Sequence, residues 1–473
     1  MRFRQTGIPM SSGGKYQIDM CHGPLFSKIV LFSIPLMASN VMQVLFNIID
    51  LIVIGRYARH EALAAVGTCS SLISMILSIF FGLSVGANVL AARYIGARDH
   101  RQTFRTIHSA MATALYGGAV LAVVGILIAR PILVWMRTPE EVLPKAALYM
   151  WLYCAAMPFI LLYNFGSSIL RAAGDTRRPL FYMLFSGCVK VALNLFLVRT
   201  FRLDVAGVAI STLISNAISS ALVIRALTAL RSSTRLFLNN LRLYGSNFKD
   251  ILKIGIPAGI QGSLFGLSNV LIQSTINSFG SKAMAGSAAA GSLEGVVYVA
   301  FISYYFSVIS FVGQNHGAKN YQRIVRSIFY CLMLATLAAL LFGWGIYFAG
   351  PRLLKIYNPD PEVIRWGMIR LKYLVTIHFL CAIMEVLNGA LRGLGHSLTP
   401  MVVTMLGVCV FRVIWVLWLF PLRPTMDFLL LSYMVSWLRV GLVDGTILYF
   451  VCRNLFRTAP GQPRAALTTL SAR

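Results

Sequence analysis

The residue of this chain with the most distinctive chemical setting is Asp50. It is the only charged residue between Ile29 and Ile54, in a segment that is otherwise apolar or weakly polar. A carboxylate near the centre of a membrane helix costs roughly 2.5–3.5 kcal/mol to place there, and less near the helix ends. Such residues normally face a cavity inside the protein, which makes Asp50 a candidate functional residue. The alternative is a structural carboxylate that a neighbouring helix satisfies.

The second half of the chain carries a different set of polar residues in apolar surroundings. Asn47 has a counterpart 222 positions later in Asn269, whereas no acid stands at the equivalent of Asp50. A candidate polar site of this half consists of Glu294, Glu385, Arg412 and Asn269. Each charged member is costly in lipid unless it is paired or hydrated. A purely structural pair of Glu294 and Arg412 is an equally open interpretation.

The composition excludes an ordinary soluble protein. Of 473 residues, 58% are hydrophobic and only 12% are charged, whereas soluble proteins carry about 25% charged residues. The formal net charge of +27 would indicate a nucleic-acid partner in a soluble chain. Here it is explained by basic loops that lie next to anionic lipid. We therefore expect membrane lipids, and no nucleic acid, among the partners.

Twelve apolar stretches are each long enough to cross a bilayer. They cover residues 26–54, 62–92, 106–132, 142–166, 179–198, 204–229, 250–278, 283–314, 322–348, 362–391, 399–420 and 428–452. Strands of a membrane barrel would alternate in polarity, and these segments do not. The sequence thus predicts an all-α polytopic membrane protein with twelve transmembrane helices. Lys and Arg are about twice as frequent on the side of both termini, so both termini are expected to be cytoplasmic.

The cysteines and histidines do not indicate a metal site. Most of the eight cysteines fall inside apolar runs, no CxxC pair occurs, and the seven histidines are scattered. We interpret the cysteines as small core residues and expect no disulfide framework.

The chain contains an internal repeat. The segment IGARDHRQTFR at 95–105 returns as HGAKNYQRIVR at 316–326, and SILRAAGDTRRP at 168–179 returns as GALRGLGHSLTP at 389–400, both 221 positions later. Each repeat has six predicted helices, so both repeats enter the membrane in the same direction. A pseudo-twofold axis along the membrane normal should therefore relate two six-helix bundles around a central cavity.

This repeat divides the chain into five parts. They are a cytoplasmic N-terminal segment (1–24), an N-terminal bundle (25–230), a cytoplasmic linker (231–249), a C-terminal bundle (250–456) and a cytoplasmic tail (457–473). The linker is expected to form either a short helix on the membrane surface or an ordinary tether. Arg171 and Arg392, in the repeated Leu-Arg motifs, are expected to contact helix-end carbonyls or lipid phosphates.

These segments resemble the multidrug and toxic compound extrusion (MATE) family. The resemblance is carried by FNIIDLIVIGRY (46–57), by GARD and GQNHGAKN after the second and eighth helices, and by LRAAGDTRRP and LRGLGHSLTP after the fourth and tenth. It extends from Leu25 to Phe456. It implies a two-bundle fold in a bacterial plasma (inner) membrane, and export of amphipathic, often cationic, compounds in exchange for protons or sodium ions.

By the same resemblance, Asp50 matches the carboxylate of the family's first helix, which holds the coupling cation or proton. Asn194 falls where relatives place a polar or acidic partner. One turn earlier, Lys190 stands where relatives usually have Asn, so no more than a transient sodium ion is expected at Asp50. Some relatives have an acid at the position of Cys381, one turn before Glu385, and a sodium site in the second bundle is therefore not supported.

The expected function is secondary active export of small amphipathic compounds by alternating access between the two bundles. The coupling ion is H⁺ or Na⁺, no cofactor is expected, and the protein is expected to be a monomer. The alternative is a flippase for lipid-linked saccharides or other lipids with the same fold. A membrane-embedded enzyme is not expected, because the sequence has no nucleophile motif, no HExxH and no phosphate-binding loop.

The coupling residues are expected to lie together between the first and fifth helices. They are Asp50, Asn194, Lys190 and Asn47. An ammonium beside the carboxylate would stabilise the charged form of Asp50. Protonation of Asp50 would then free Lys190, which makes the pair a switch. In the alternative interpretation Lys190 only neutralises a buried acid.

Overall fold

A computed structural model describes residues 16–57, 60–230 and 232–457 of the chain. These residues are almost entirely helical, and no β-strand occurs among them. The first half contains α1 (Leu25–Tyr57), α2 (His60–Gly96), α3 (His100–Trp135), α4 (Leu143–Ala172), α5 (Arg177–Leu195) and α6 (Asp204–Ala229). A π-helical turn, Phe196–Thr200, extends α5.

The second half repeats this order with two modifications. Its helices are α7 (Gly245–Asn277), α8 (Ser281–Gly317), α9 (Tyr321–Tyr357), α10 (Pro361–Leu374), α11 (His378–Gly393), α12 (Leu398–Thr404), α13 (Phe411–Ile414) and α14 (Met426–Arg457). One modification is a 44° bend between α10 and α11, which together have the length and composition of one span. The other is that π-helical turns join α12 and α13 into a single span, Leu398–Leu422.

The number of spans agrees with the sequence. The described residues contain 11 helices that are long and apolar enough to cross a membrane, and 12 spans when the bent pair is counted as one. The helices are longer than is needed to cross the hydrocarbon core of a bilayer. The 33 residues of α1 make a rod of about 50 Å, so its ends project beyond a hydrocarbon core of about 30 Å.

The backbone confirms the repeat. Gly174 and Gly395 follow α4 and α11, and both have a left-handed backbone, with φ of 90° and 93°. This conformation favours glycine because it has no Cβ. Asp99 and Asn320 cap α3 and α9 in the same way, each accepting a hydrogen bond from the backbone N–H three residues on. The members of both pairs are 221 positions apart, as predicted for two related bundles.

The two bundles meet closely along α2 and α7. Gly82 and Gly86 of α2 lie against Gly255 and Gly259 of α7, and a Cβ on Gly259 would be 2.6 Å from the Cα of Ile79. Small residues allow helices to approach to this distance in membranes. This contact holds the C-terminal half of α2 against the N-terminal half of α7.

A second contact joins α1 to α8. The Ser33 and Ser307 hydroxyls are 2.8 Å apart, and the Asn40 amide donates to the Ser303 hydroxyl at 3.2 Å. Near the helix ends, the Gln314 amide donates to the Ala172 carbonyl at 2.7 Å. We call the side with these helix ends, where residues 16–24 also lie, the terminal face.

The hydrogen bonds between the bundles are concentrated towards the terminal face. In the described part of the chain, none joins the bundles beyond Asn40 in α1 and Met75 in α2.

The linker differs from both expectations. Its described residues include a single short helical turn, Leu238–Asn240, and Leu236 is only 2% exposed. The backbone N–H of Phe237 donates to His108 Nε2 at 3.0 Å, and that of Tyr244 donates to the Ser109 hydroxyl at 2.9 Å. The linker is thus packed against α3. Neither a surface helix longer than one turn nor an unattached tether is observed in its described residues. The Leu236 side chain packs into the core, and the His108 and Ser109 side chains of α3 accept hydrogen bonds from the irregular backbone.

The glycine contact leads to a stability prediction. Gly259→Ala should lower the free energy of unfolding by about 1–3 kcal/mol, because the added methyl group meets the backbone of α2 and must force the bundles apart. Gly266→Ala is the matched control in the same helix, since nothing lies within 4 Å of its Cβ position. Thermal unfolding of the purified protein in detergent would measure both. Equal effects of the two substitutions would contradict this account.

Candidate functional site

The acid of the first helix has two partners on α5. The Lys190 ammonium lies 2.5 Å from Asp50 Oδ2, and the Asn194 amide donates to Asp50 Oδ1 at 2.9 Å. Lys190 and Asn194 are four residues apart, so they lie on one face of α5. Each carboxylate oxygen thus accepts its own hydrogen bond.

A close approach of α5 to α1 makes this contact geometrically feasible. Gly187 lies one turn before Lys190 and faces the ring of Phe46, which lies one turn before Asp50. A Cβ on Gly187 would be 2.0 Å from the Phe46 ring. A larger residue would push the helices apart and lengthen the ion pair.

The site is nearly buried and has no net charge. The Asp50 side chain is 14% exposed and that of Lys190 is 12% exposed. Asn194 is fully buried, and its Oδ1 accepts no hydrogen bond among the described residues. An ion pair at this burial is screened only weakly by solvent. Opening it therefore requires either protonation of Asp50 or a competing cation.

Asn47 does not join this group. It is exposed, one turn before Asp50, and makes no hydrogen bond within the described part of the chain. The predicted contact of Asp50 with Lys190 and Asn194 is present, whereas the predicted participation of Asn47 is not observed. The side chain of Asn47 points away because α5 covers only the face of α1 that carries Phe46 and Asp50.

In the second bundle, Glu294 pairs with Arg370. The distance from Arg370 Nη2 to Glu294 Oε2 is 2.9 Å, and Arg370 Nη1 also donates to the Ser287 hydroxyl at 2.6 Å. The alternative interpretation of Glu294 and Arg412 as a structural pair is therefore wrong. The reason is packing: α10, which carries Arg370, lies directly on α8, whereas Arg412 on α13 contacts α7 and α14.

Arg412 is fully buried and is held by neutral groups. Its Nη1 donates to Asn269 Oδ1 at 3.0 Å, and its Nη2 donates to the Ser436 hydroxyl at 3.3 Å. Its guanidinium stacks on the Tyr433 ring, 3.9 Å from the centroid. Glu385 makes no ion pair or hydrogen bond within the described residues.

A cavity of about 270 Å³ lies beside these residues. It is lined by Asn269, Val270, Gln273, Glu294, Arg370 and Tyr433. Arg370, Gln273 and Tyr433 were not among the predicted site residues. Arg370 alone gave a signal in the sequence, since it is a charge within an apolar segment, but its depth was ambiguous.

The hydrogen bonds of the two arginines in the Leu-Arg motifs go to side chains, and the predicted contacts with helix-end carbonyls are not among them. Arg392 is 5% exposed and donates to Gln261 Oε1 at 2.6 Å and to the Tyr305 hydroxyl. Arg171 donates to the Ser168 hydroxyl at 2.6 Å and stacks on Phe306. Arg392 thus binds polar groups of two neighbouring helices, whereas the polar partner of Arg171 lies one turn earlier on its own helix. Among the described residues, no three His, Cys, Asp or Glu side chains are arranged to hold a metal ion.

Comparison with known protein families finds the same internal repeat. A model of the MatE family matches twice, over residues 35–196 and 257–418, with both ends 222 positions apart. "Probable multidrug resistance protein YpnP" of Bacillus subtilis is 27% identical over 83% of this chain and 88% of its own length. The "FAD transporter" of Shewanella oneidensis is 24% identical over 77% and 82%. The solved Vibrio cholerae MATE transporter VcmN is 21% identical, covers 92% of this chain and 98% of its own, and has a TM-score of 0.85.

The buried ion pair leads to a double-mutant prediction. Lys190→Met should lower the free energy of unfolding by about 3 kcal/mol, because it leaves the Asp50 carboxylate without a counter-charge. Adding Asp50→Asn should restore most of the loss. Thermal unfolding in detergent at neutral pH would measure the cycle.

Lys282→Met provides the control for this cycle, because the Lys282–Glu362 pair is about half exposed, at 51% and 53%. It should leave stability near that of the parent. Additive effects at Asp50 and Lys190 would contradict an energetically coupled pair.

Proposed function

The chain belongs to the MatE family of multidrug efflux transporters, and from this premise we propose that it is a proton-coupled antiporter for amphipathic compounds. The observation that supports proton coupling is the contact of Asp50 with Lys190 and Asn194. Both oxygens of the carboxylate already accept a hydrogen bond. A sodium ion would have to displace the ammonium, whereas a proton needs only to bind one oxygen.

The proposed coupling step begins with protonation of Asp50. A neutral carboxyl group no longer attracts the Lys190 ammonium, which is then held 12% exposed without a counter-ion. Since a charged group in this environment is costly, Lys190 moves towards the water of the cavity. The contact between α1 and α5 loosens, and α1 is free to shift relative to α8.

The two faces then alternate in access. We assign the terminal face to the cytoplasm, because it carries the larger share of Lys and Arg residues. The hydrogen bonds between the bundles on this side, such as those of Gln314 with Ala172 and Ser33 with Ser307, would then hold the cytoplasmic side closed while the site opens to the outside of a bacterial plasma membrane. Protonation from outside would precede closure, and release of the proton to the cytoplasm would reset the pair.

The charge of the substrate is not fixed by family membership. One relative is named a multidrug resistance protein and another an FAD transporter, and FAD carries phosphate groups. The resemblance implies cationic compounds. In this chain, however, the one acid of the first bundle's site already has Lys190 as its counter-ion, so that acid offers no free negative charge to a cation.

Export from everted membrane vesicles would test this proposal. An imposed proton gradient should drive uptake of an amphipathic dye, and an imposed sodium gradient alone should not. Asp50→Asn should abolish gradient-driven uptake, because a carboxamide cannot take up the proton, while dye binding is retained. Glu141→Gln, in the exposed turn before α4, should transport as the parent does.

Lys190→Asn tests whether the Lys190 ammonium takes part in coupling. Removing the ammonium should change the pH dependence of transport or create a response to sodium, since Asp50 would then be open to either cation. Sodium-driven uptake by the parent protein, or undiminished uptake by Asp50→Asn, would refute proton coupling through this residue. Unchanged pH and sodium dependences in Lys190→Asn would show that Lys190 is only structural.

A further inference from the structure

The cavity of the second bundle has an excess of positive charge. The charges of Arg370 and Glu294 compensate each other, with 2.9 Å between Arg370 Nη2 and Glu294 Oε2. Arg412 lies behind the same wall, because Asn269 and Tyr433 both line the cavity and both contact the Arg412 guanidinium. Two guanidinium groups therefore stand against one carboxylate.

The structure provides no acid for Arg412. All 15 Asp and Glu residues of the chain fall within the described residues. None of their carboxylate oxygens lies within 4.0 Å of Arg412, and the one acid at this cavity, Glu294, is bonded to Arg370. A fully buried guanidinium without a counter-charge is rare, because the loss of hydration is not compensated.

The hydrogen bonding of the two arginines is also incomplete. Among the described residues, Arg412 Nε and Arg370 Nε have no acceptor. The acceptors of Arg412 are the Asn269 carbonyl oxygen and the Ser436 hydroxyl, which carry no charge. The Arg370 side chain remains 13% exposed at the cavity, so a group within the cavity can reach it.

We propose that this cavity binds the anionic group of an amphipathic substrate, such as a carboxylate, a sulfonate or a phosphate ester. This inference rests on the proposed export function and specifies its substrate class. A single negative charge in the cavity would balance the excess positive charge of Arg412. In surroundings of low dielectric, such an interaction acts more strongly and over a longer distance than in water. Arg370, which lines the cavity, can donate to the anion directly.

The size and surroundings of the cavity fit a headgroup. Its volume of about 270 Å³ is at the lower end for a whole drug-sized ligand. At its edge, the lining residue Val270 and the neighbouring Leu267 on α7, 63% and 66% exposed, offer an apolar surface. The anionic end would lie among Asn269, Gln273 and Arg370, and the apolar body along α7.

A matched pair of dyes would test this proposal. Carboxyfluorescein and rhodamine 6G share a xanthene ring system but carry opposite charges. Binding of each to the purified full-length protein in nanodiscs of neutral phosphatidylcholine can be followed by fluorescence anisotropy. The parent protein should bind the anionic dye more tightly than the cationic one.

The decisive variant is Asn269→Asp. It places a carboxylate where Asn269 Oδ1 now accepts from Arg412 at 3.0 Å, so the protein itself supplies the missing counter-charge. Binding of carboxyfluorescein should weaken at least about tenfold, and rhodamine 6G binding should strengthen. Arg412→Gln should weaken the anionic dye similarly. Arg439→Gln is the control, because Arg439 is exposed on α14 and stacks on Phe411 away from the cavity.

Two outcomes would overturn the proposal: a preference of the parent for the cationic dye, or unchanged carboxyfluorescein binding in a folded Asn269→Asp protein. Should Arg412→Gln not fold, the near-isosteric Asn269→Asp still decides. Asp50→Asn should retain the anion preference, since the test uses no gradient. Failure of proton coupling and failure of the anion site are therefore distinguishable.

Anionic lipid is the other source of the same chemistry. Replacing part of the phosphatidylcholine by phosphatidylglycerol separates the two sources. If phosphatidylglycerol competes with carboxyfluorescein in the parent and this competition is lost in Asn269→Asp, the result would support the anion site and assign it to a lipid headgroup. Absence of competition, with dye binding retained, would support the anion site and assign it to a substrate that enters through the cavity.

Discussion

Charge inside an apolar interior is the constraint on which this structure depends. In the first bundle, Lys190 and Asn194 both contact Asp50. The charges of Asp50 and Lys190 compensate each other at a distance of 2.5 Å. The second bundle meets this constraint only in part, because Arg370 and Glu294 cancel while Arg412 has neutral neighbours. The first arrangement is suited to binding a proton, which would neutralise Asp50. The second is suited to binding an anion, which would compensate the positive charge of Arg412.

This difference is built on a symmetric frame. The glycines after α4 and α11 have almost the same φ, 90° and 93°, and the caps of α3 and α9 use side chains at equivalent positions. The symmetry is broken within the spans. The fourth span is one helix, Leu143–Ala172, whereas its counterpart is bent by 44° between α10 and α11. The bend separates the segment that carries Arg370 from the one that carries Glu385.

Much of the fold could be predicted from the sequence, because apolar length defines spans and repeated loop motifs define the bundles. The contact of Asp50 with Lys190 was also accessible, since each is the only charge deep in its helix. The partner of Glu294 was not, because both Arg370 and Arg412 were available and only helix packing selects between them. For the same reason, the burial of Arg392 and the packing of the linker on α3 could not be predicted. Sequence gives the depth of a residue along a helix but not which neighbour its side chain faces.

Infrared difference spectroscopy of the purified protein tests the central claim, reversible protonation of Asp50 beside Lys190, most directly. Acidification in the absence of substrate should produce the carbonyl stretch of a protonated carboxyl group. That band should be missing from Asp50→Asn and should move to a different pH range in Lys190→Asn. The account predicts that the band rises over the pH range in which export changes. A carboxylate of Asp50 that stays ionised throughout that range would contradict it.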